Sequence, residues 1–356
     1  MTAGRQRRLD RVREAMGSHG VDALLLSLGA DLPWLTGYEA MPLERLTMLV
    51  LPVDADASLV IPALEAPRCE VDGDAFSLRP WSESEDPVEI VAGLVGGRTR
   101  LAISDRTWAT FLIQLERRLP QASWQTASSV TSPLRAVKDD DEVAALVAAS
   151  RAADRVAARL VAGDIPLIGQ SEAEVSADIS RRLIDEGHRQ VNFAIVGSGP
   201  NSASPHHDAG RRRIGPGEAV VCDFGGVMDG YCSDITRTVF TGEPPAQFRE
   251  LYAVLQEAQA AAVAAAAVGT SCEEVDATAR GIITEAGYGP QFIHRTGHGI
   301  GLEEHEDPYI VAGNRVALAP GHAFSVEPGI YLPGVYGARI EDIVVAQAAG
   351  PLSLNA

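Results

Sequence analysis

Four acids stand where acids are costly. Asp223 lies in the apolar run "AVVCDFGG", and Asp234 opens the run "SDITRTVF" across a glycine-containing turn. Glu327 lies in "FSVEPGIYL" and Glu341 in "ARIEDIVVA". A carboxylate in a strand of this apolarity must be paired, protonated or bound to a cation. Taken alone, the two aspartates read as structural more readily than as catalytic. A glutamate in each of two further core strands is hard to account for by packing. His298, in "RTGHGIGLEEHEDP", adds a nitrogen donor. Four carboxylates and one imidazole make the ligand set of a pair of divalent cations such as manganese, cobalt or zinc. No nearby run of arginines could neutralise all four acids instead.

Further polar groups flank this set. His305 follows His298 with glycines between, which let the backbone approach a ligand. A turn holding two satisfied histidines is the bland reading of that stretch, and the four acids weigh against it. Its G-x-G-x-G spacing misses the dinucleotide fingerprint. In "GPNSASPHHDAG", His206 and His207 are adjacent and either could face a site. Arg339 stands two residues before Glu341 on what reads as one strand face, able to orient that carboxylate or a ligand's.

Positioning these groups takes sheet. The apolar runs 21–28, 46–52 and 57–63 read as buried strands, 108–119 as a helix, and 31–39 as a turn-rich approach to the second strand. That alternation is an α/β pattern. Ser, Pro and a charge run in "SSVTSPLRAVKDDDEV" (128–143) separate two apolar regions. The expected domains are therefore 1–130 and 131–356. The acids at 139–142 oppose the dipole of the long helix they open. Ser171 and Glu174 form a capping box for a helix over 171–188. Residues 190–197 read as a strand, 218–242 as a hairpin, and 246–269 and 272–289 as helices. The segments 322–333 and 338–346 each read as one strand.

Composition narrows the function classes. A chain of 356 residues fits one large domain or two ordinary ones. With 46% hydrophobic and 22% charged residues it is globular in type. A net charge of −18 argues against nucleic acid or an anionic membrane as partner. "MTAGRQRRLDRVREAM" has arginines with no apolar core after them, so it reads as an exposed amphipathic helix and not as a secretory signal. The alanine-rich run 258–269 is too short to span a bilayer. Cys69, Cys222, Cys232 and Cys272 form no C-x-x-C pair, which fits a reduced, cytoplasmic setting. They read as small buried fillers, because hard-metal sites prefer oxygen.

The order Asp223, Asp234, His298, Glu327, Glu341, in the contexts "DFGG", "SDITRT", "TGHGIGLEEHEDP", "EPGIYLPG" and "RIED", resembles the pita-bread metallopeptidases. Within them it is most similar to the Xaa-Pro peptidases, prolidase and aminopeptidase P. The resemblance is strong over about 140–347 and only in outline before that. It implies an α+β architecture, with a C-terminal pita-bread (creatinase/aminopeptidase-like) catalytic domain after a smaller α/β N-terminal domain. By this resemblance Asp234 and Glu341 bridge two metals, Asp223 chelates one, and His298 and Glu327 hold the other. It gives His305 the role of steadying substrate or the tetrahedral intermediate, and His206 that of the outer histidine after proline. Manganese is the first expectation for the metal pair, with cobalt or zinc as substitutes. A homodimer is a further expectation from the resemblance.

Hydrolysis of the bond before proline follows as the expected reaction, on short peptides with proline second. Two cations acidify a water toward neutrality. His206 or His305 would donate to the developing oxyanion, and Glu327 would carry the proton to the leaving nitrogen. Tyr309, Tyr331 and Tyr336 are candidates for a proline pocket, with plain packing as the competing reading. Arg295, Arg339 and Arg45 are candidates for the substrate carboxylate, with a surface role the better reading of Arg45. A dipeptidase is preferred to an aminopeptidase P acting on longer peptides. A metal-free creatinase-like hydrolase would not need all five ligands, and a binding module would be expected to lose some. His322 stands where a hydrophobic residue is more usual in the resemblance, and it reads as exposed.

Overall fold

The computed structural model describes residues 2–71 and 75–355. The chain forms two compact units, Met1–Arg135 and Ala136–Ala356. Among the described residues no helix is long and apolar enough to cross a membrane.

In the first unit the strands are β1 (Ala23–Leu26), β2 (Met48–Pro52), β3 (Ser58–Pro62), β4 (Ser77–Trp81), β5 (Arg100–Ile103) and β6 (Ser123–Thr126). They make one mixed sheet in the order β4-β3-β2-β1-β5-β6. The helices are α1 (Thr2–His19), α2 (Asp31–Thr36), α3 (Pro87–Val95), α4 (Ala109–Arg118) and α5 (Ser128–Ala136). Leu9, Val12 and Met16 form the fully buried stripe of α1, so that helix is not merely exposed. Leu25, Val50, Val60, Val91 and Leu115 belong to the core between sheet and helices.

Two stretches differ from the sequence reading. Residues 31–36 form a helix where a turn was expected. Pro33 falls in its first turn, where a missing N–H costs little, and Gly37 closes it at φ 72°. The Ser- and Pro-containing stretch after 127 is helical over Ser128–Ala136, with Pro133 inside. Its buried face is tied down: Thr131 and Arg135 each donate to Asp31 at 3.0 Å.

In the second unit a meander of β7 (Gln190–Ser198), β8 (Ala219–Met228) and β9 (Tyr231–Phe240) packs on α6 (Asp140–Val161) and α7 (Glu172–Asp185). Capping boxes start both helices, Asp139 with Glu142 and Ser171 with Glu174. Val156, Ile179, Val220, Cys222, Phe224 and Ile235 share one buried core. The period of two then turns Asp223 to the opposite face from Cys222 and Phe224. The turn of the hairpin is Asp229–Gly230, both at positive φ (50° and 86°), which matches the twist of paired strands. Register pairs Asp223 with Thr236 and Gly225 with Asp234, so the two aspartates share a face. Asp223 lies mid-strand in β8.

Two helices, α8 (Ala246–Ala265) and α9 (Cys272–Glu285), pack with the remaining strands through Leu255, Ala258, Val275, Phe324, Ile330 and Val344. Those strands are β10 (Gly297–Gly299), β11 (Glu306–Ile310), β12 (Ala323–Val326), β13 (Gly329–Leu332), β14 (Tyr336–Arg339), β15 (Asp342–Val345) and β16 (Leu352–Ser353). Both C-terminal segments expected as single strands are broken in two. β12 and β15 pair in a five-stranded sheet, while β13 and β14 pair as a separate ribbon. Pro328 has no N–H to continue the ladder. Glu327 and Glu341 lie at these two joints, between Val326↔Asp342 of one ladder and Gly329↔Arg339 of the other.

Candidate metal centre and cleft

The hairpin, β10 and the two joints bring five predicted ligands together. His298 Nε2 lies 3.3 Å from Glu327 Oε1, 3.7 Å from Asp234 Oδ2 and 4.0 Å from Glu341 Oε1. Asp234, His298 and Glu341 each offer a ligand atom within 4.8 Å of the others. His298 Nδ1 faces the Gly299 carbonyl at 3.1 Å, so it carries the ring proton and Nε2 presents a lone pair to the acids. Asp223 is joined to the group by Arg339, which donates to its Oδ2 at 2.5 Å.

The electrostatics fit a cation. Asp223 Oδ1, Asp234 Oδ1 and Glu341 Oε1 are buried without a hydrogen-bond partner. Buried polar atoms are rarely left so. Burial, then the charges of Glu341, Asp223 and Glu327, push the Asp234 carboxyl well above its ordinary range. Burial, then the charges of Glu327 and Asp223, do likewise to Glu341. Burial raises Glu327 to about 7, against the pull of Arg339. Burial, with His305 beside it, lowers His298 to about 3, so its ring is neutral. One arginine cannot balance four acids, of which Asp223, Asp234 and Glu341 are buried and Glu327 is partly so. The donor set suits hard or borderline divalent ions, which would restore the ionised forms.

Around the acids, hydroxyls fix orientation. Thr236 Oγ1 donates to Glu341 Oε2 at 2.7 Å and accepts from Arg339 Nε at 3.0 Å. Ser325 Oγ accepts from the His298 N–H at 3.0 Å and donates to Glu327 Oε1 at 3.3 Å. Sequence reasoning missed both. A signal was present: each hydroxyl stands two residues from an acid, on the same side of the chain. Arg339 also donates to the Tyr331 hydroxyl at 2.8 Å. It is thus tied within the protein, reaches Glu341 through Thr236, and also lines the cleft.

A cleft of ≈ 640 Å³ opens over the acids. His206, His305 and Arg295 line it, and so do Phe193, Ile195 and Ile293. His207 points away, its Nε2 2.8 Å from Glu172 Oε2, which separates the two adjacent histidines. The His305 ring lies 4.0 Å from that of His298, and its Nδ1 accepts from Arg295 at 3.4 Å. Burial lowers the His305 pKa. His294, which sequence reasoning missed, also lines the cleft. Burial holds it neutral, at about 4, and its Nε2 meets the Tyr331 hydroxyl at 2.9 Å.

Some expectations fail here. Tyr309, Tyr331 and Tyr336 are not among the cleft-lining residues; the apolar walls are Phe193, Ile195 and Ile293. Tyr331 is buried under Arg339, Tyr336 packs edge-on to Phe248, and Tyr309 stacks under Arg295. His322 is buried, not exposed, and its Nδ1 accepts from the Ala319 N–H at 3.2 Å. Arg45, in the first unit, pairs on the surface with Glu44 and Glu83. All four cysteines are free and buried, as expected of fillers.

Residues 144–348 match the model of metallopeptidase family M24, over more than half the chain. The chain belongs to that family. Residues 8–137 match the creatinase/prolidase N-terminal domain, so this peptidase carries the N-terminal domain that its sequence resembled only in outline. Family M24 accounts for the ion-hungry acids and for the pita-bread architecture expected from the motifs. Among relatives, the chain is 44% identical to the probable dipeptidase PepE of Mycobacterium tuberculosis, over 98% of this chain and 94% of that protein. It is 38% identical to an Xaa-Pro dipeptidase of Lactobacillus helveticus, over 96% and 95%. The crystal structure of dipeptidase PepE from Mycobacterium ulcerans superposes with a TM-score of 0.93 at 43% identity, covering 100% of this chain and 96% of that one.

Proposed function

We propose that this family M24 chain is an Xaa-Pro dipeptidase, with Asp223, Asp234, His298, Glu327 and Glu341 holding two divalent ions, manganese foremost. The observation that carries the reading is the set of buried carboxylate oxygens left without partners around a neutral His298. The Lactobacillus relative's name supports the substrate class. Bound there, divalent cations supply Lewis acidity and a water acidified toward neutral pH.

The chain's own groups do the rest. Phe193, Ile195 and Ile293 offer an apolar wall for the proline ring, and Arg295 offers the cleft a cation for the free carboxylate. His206 and His305 face the same space and donate to the oxygen that gains charge as the carbonyl carbon is attacked. Hydrolysis breaks the C–N bond to proline; water gives its oxygen to the carbonyl carbon and a proton to the leaving nitrogen. Glu327, which lines the cleft 3.3 Å from His298 Nε2, moves that proton. Arg339 fixes Asp223 and the hydroxyl that fixes Glu341. The reading extends to a homodimer in the cytoplasm, and the four free cysteines fit a reducing compartment.

The test is an assay of chelated and metal-restored protein on an Xaa-Pro dipeptide, an Xaa-Pro-Yaa tripeptide and an Xaa-Ala dipeptide. Metal-dependent cleavage of the first alone is expected. Preference for the tripeptide selects an aminopeptidase P instead. Activity indifferent to chelator and to Asp234→Ala refutes the metal centre.

A further inference from the structure

The charges that line the cleft are not all accounted for by the reaction. Asp223 is paired with Arg339, and Asp234, Glu327 and Glu341 surround His298. That leaves Arg295 and Glu304. Arg295 has the substrate carboxylate as its use. Glu304 is half-buried beside His305, and among the described residues its carboxylate takes no hydrogen bond or ion pair. A partly desolvated acid without a cation is a cost that a ligand can offset.

The α-ammonium of a dipeptide cannot be the intended cation. It lies two bonds from the scissile carbonyl and so stays beside the carboxylate cluster. Glu304 lines the same cleft from the loop before β11, six residues beyond His298, and its carboxylate makes no hydrogen bond or ion pair with the groups of that cluster. A long side chain on the first residue of the substrate reaches further. Taking the Xaa-Pro reading as its basis, we infer that Glu304 makes the cleft select dipeptides whose first residue carries a cationic side chain, lysine or arginine.

The experiment compares kcat/KM for Lys-Pro with that for norleucine-Pro, which keeps the stem and loses the charge, and with Glu-Pro. The metal-loaded protein and its Glu304→Gln variant are assayed at low and high salt. Reduced-amide analogues of Lys-Pro and norleucine-Pro, titrated by calorimetry, report the same preference as binding. The expected result is about a tenfold preference for Lys-Pro over norleucine-Pro, the size of one charged hydrogen bond. Glu-Pro should be the poorest substrate, and the preference should shrink with salt and vanish in Glu304→Gln. Equal use of Lys-Pro and norleucine-Pro, or a preference that survives Glu304→Gln, overturns the inference and leaves the Xaa-Pro reading standing. Cleavage of Xaa-Ala with no cleavage of any Xaa-Pro dipeptide removes that reading, and the inference with it.

Discussion

The Thr236 hydroxyl stands between Arg339 and Glu341, accepting from the first and donating to the second. A single small side chain on β9 thereby orients a glutamate that belongs to another segment. Thr236→Val keeps the shape and removes both bonds. It should cost about 2 kcal/mol in urea unfolding, because a buried acid and a buried guanidinium N–H lose their partner. Metal affinity, measured by titration against a competing chelator, should fall about tenfold. Thr236→Ser should recover most of both.

His206 is held by its neighbours. Pro205 lends its carbonyl to Arg339 at 3.5 Å, and His207 binds Glu172. Glu172 is fully buried and also accepts from the Ser198 N–H and hydroxyl at 2.8 and 2.7 Å and from Asn201 at 3.0 Å. His207→Ala should therefore release His206 without touching the acids. We expect kcat to fall about tenfold, a cost of misplacement, with metal affinity kept.

The metal-free protein should lose stability as pH rises through neutrality. Glu327 titrates at about 7 in the fold against an ordinary 4.5, so folding takes up a proton between those values. Asp234 and Glu341 are raised too. Their stabilisation is present at low pH and is lost as pH climbs through the folded values. His298, lowered to about 3, acts oppositely, but only below its ordinary 6.5. Above 6.5 the carboxyls act unopposed. Thermal melts of chelated protein between pH 6.5 and 8 should show a falling Tm, and added manganese should abolish the fall. A chelated Tm that stays level over that range counts against the charge account.

Gly225 faces Asp234 across the hairpin. A Cβ there would sit 2.1 Å from the Ser233 carbonyl oxygen and 2.9 Å from the Phe193 ring. Gly225→Ala should destabilise by about 3 kcal/mol, since backbone and not a flexible tip must move. Denaturant unfolding reads the loss, and metal titration should show Asp234 displaced.

Much of the candidate site was legible because its acids broke a local rule. Acids in apolar strands are conspicuous; taken alone, Asp223 and Asp234 read as structural, and it is the glutamates in two further strands, Glu327 and Glu341, that make the four a candidate ligand set. The helices with capping boxes were equally plain. What the sequence hid was mostly tertiary. His206 and His207 are chemically alike, and only the buried Glu172 tells them apart. His294 looked like any loop histidine until the fold set it against Tyr331. The expected proline-pocket tyrosines failed because an aromatic ring serves packing as readily as a cleft. The split of each C-terminal strand was half visible: Pro328 forbids a continuous ladder, but nothing local marks the matching break at Glu341.

That matched break gives the acids two kinds of support. Asp223 and Asp234 ride on a continuous ladder whose hydrogen bonds fix their spacing. Glu327 and Glu341 sit where a sheet gives way to a ribbon, and each is held there by its own backbone, the Glu327 N–H on the Thr296 carbonyl at 2.7 Å and the Glu341 N–H on that of Thr236 at 3.2 Å. The hairpin is therefore the common frame, and a shift of β9 would carry Asp234 and Glu341 together.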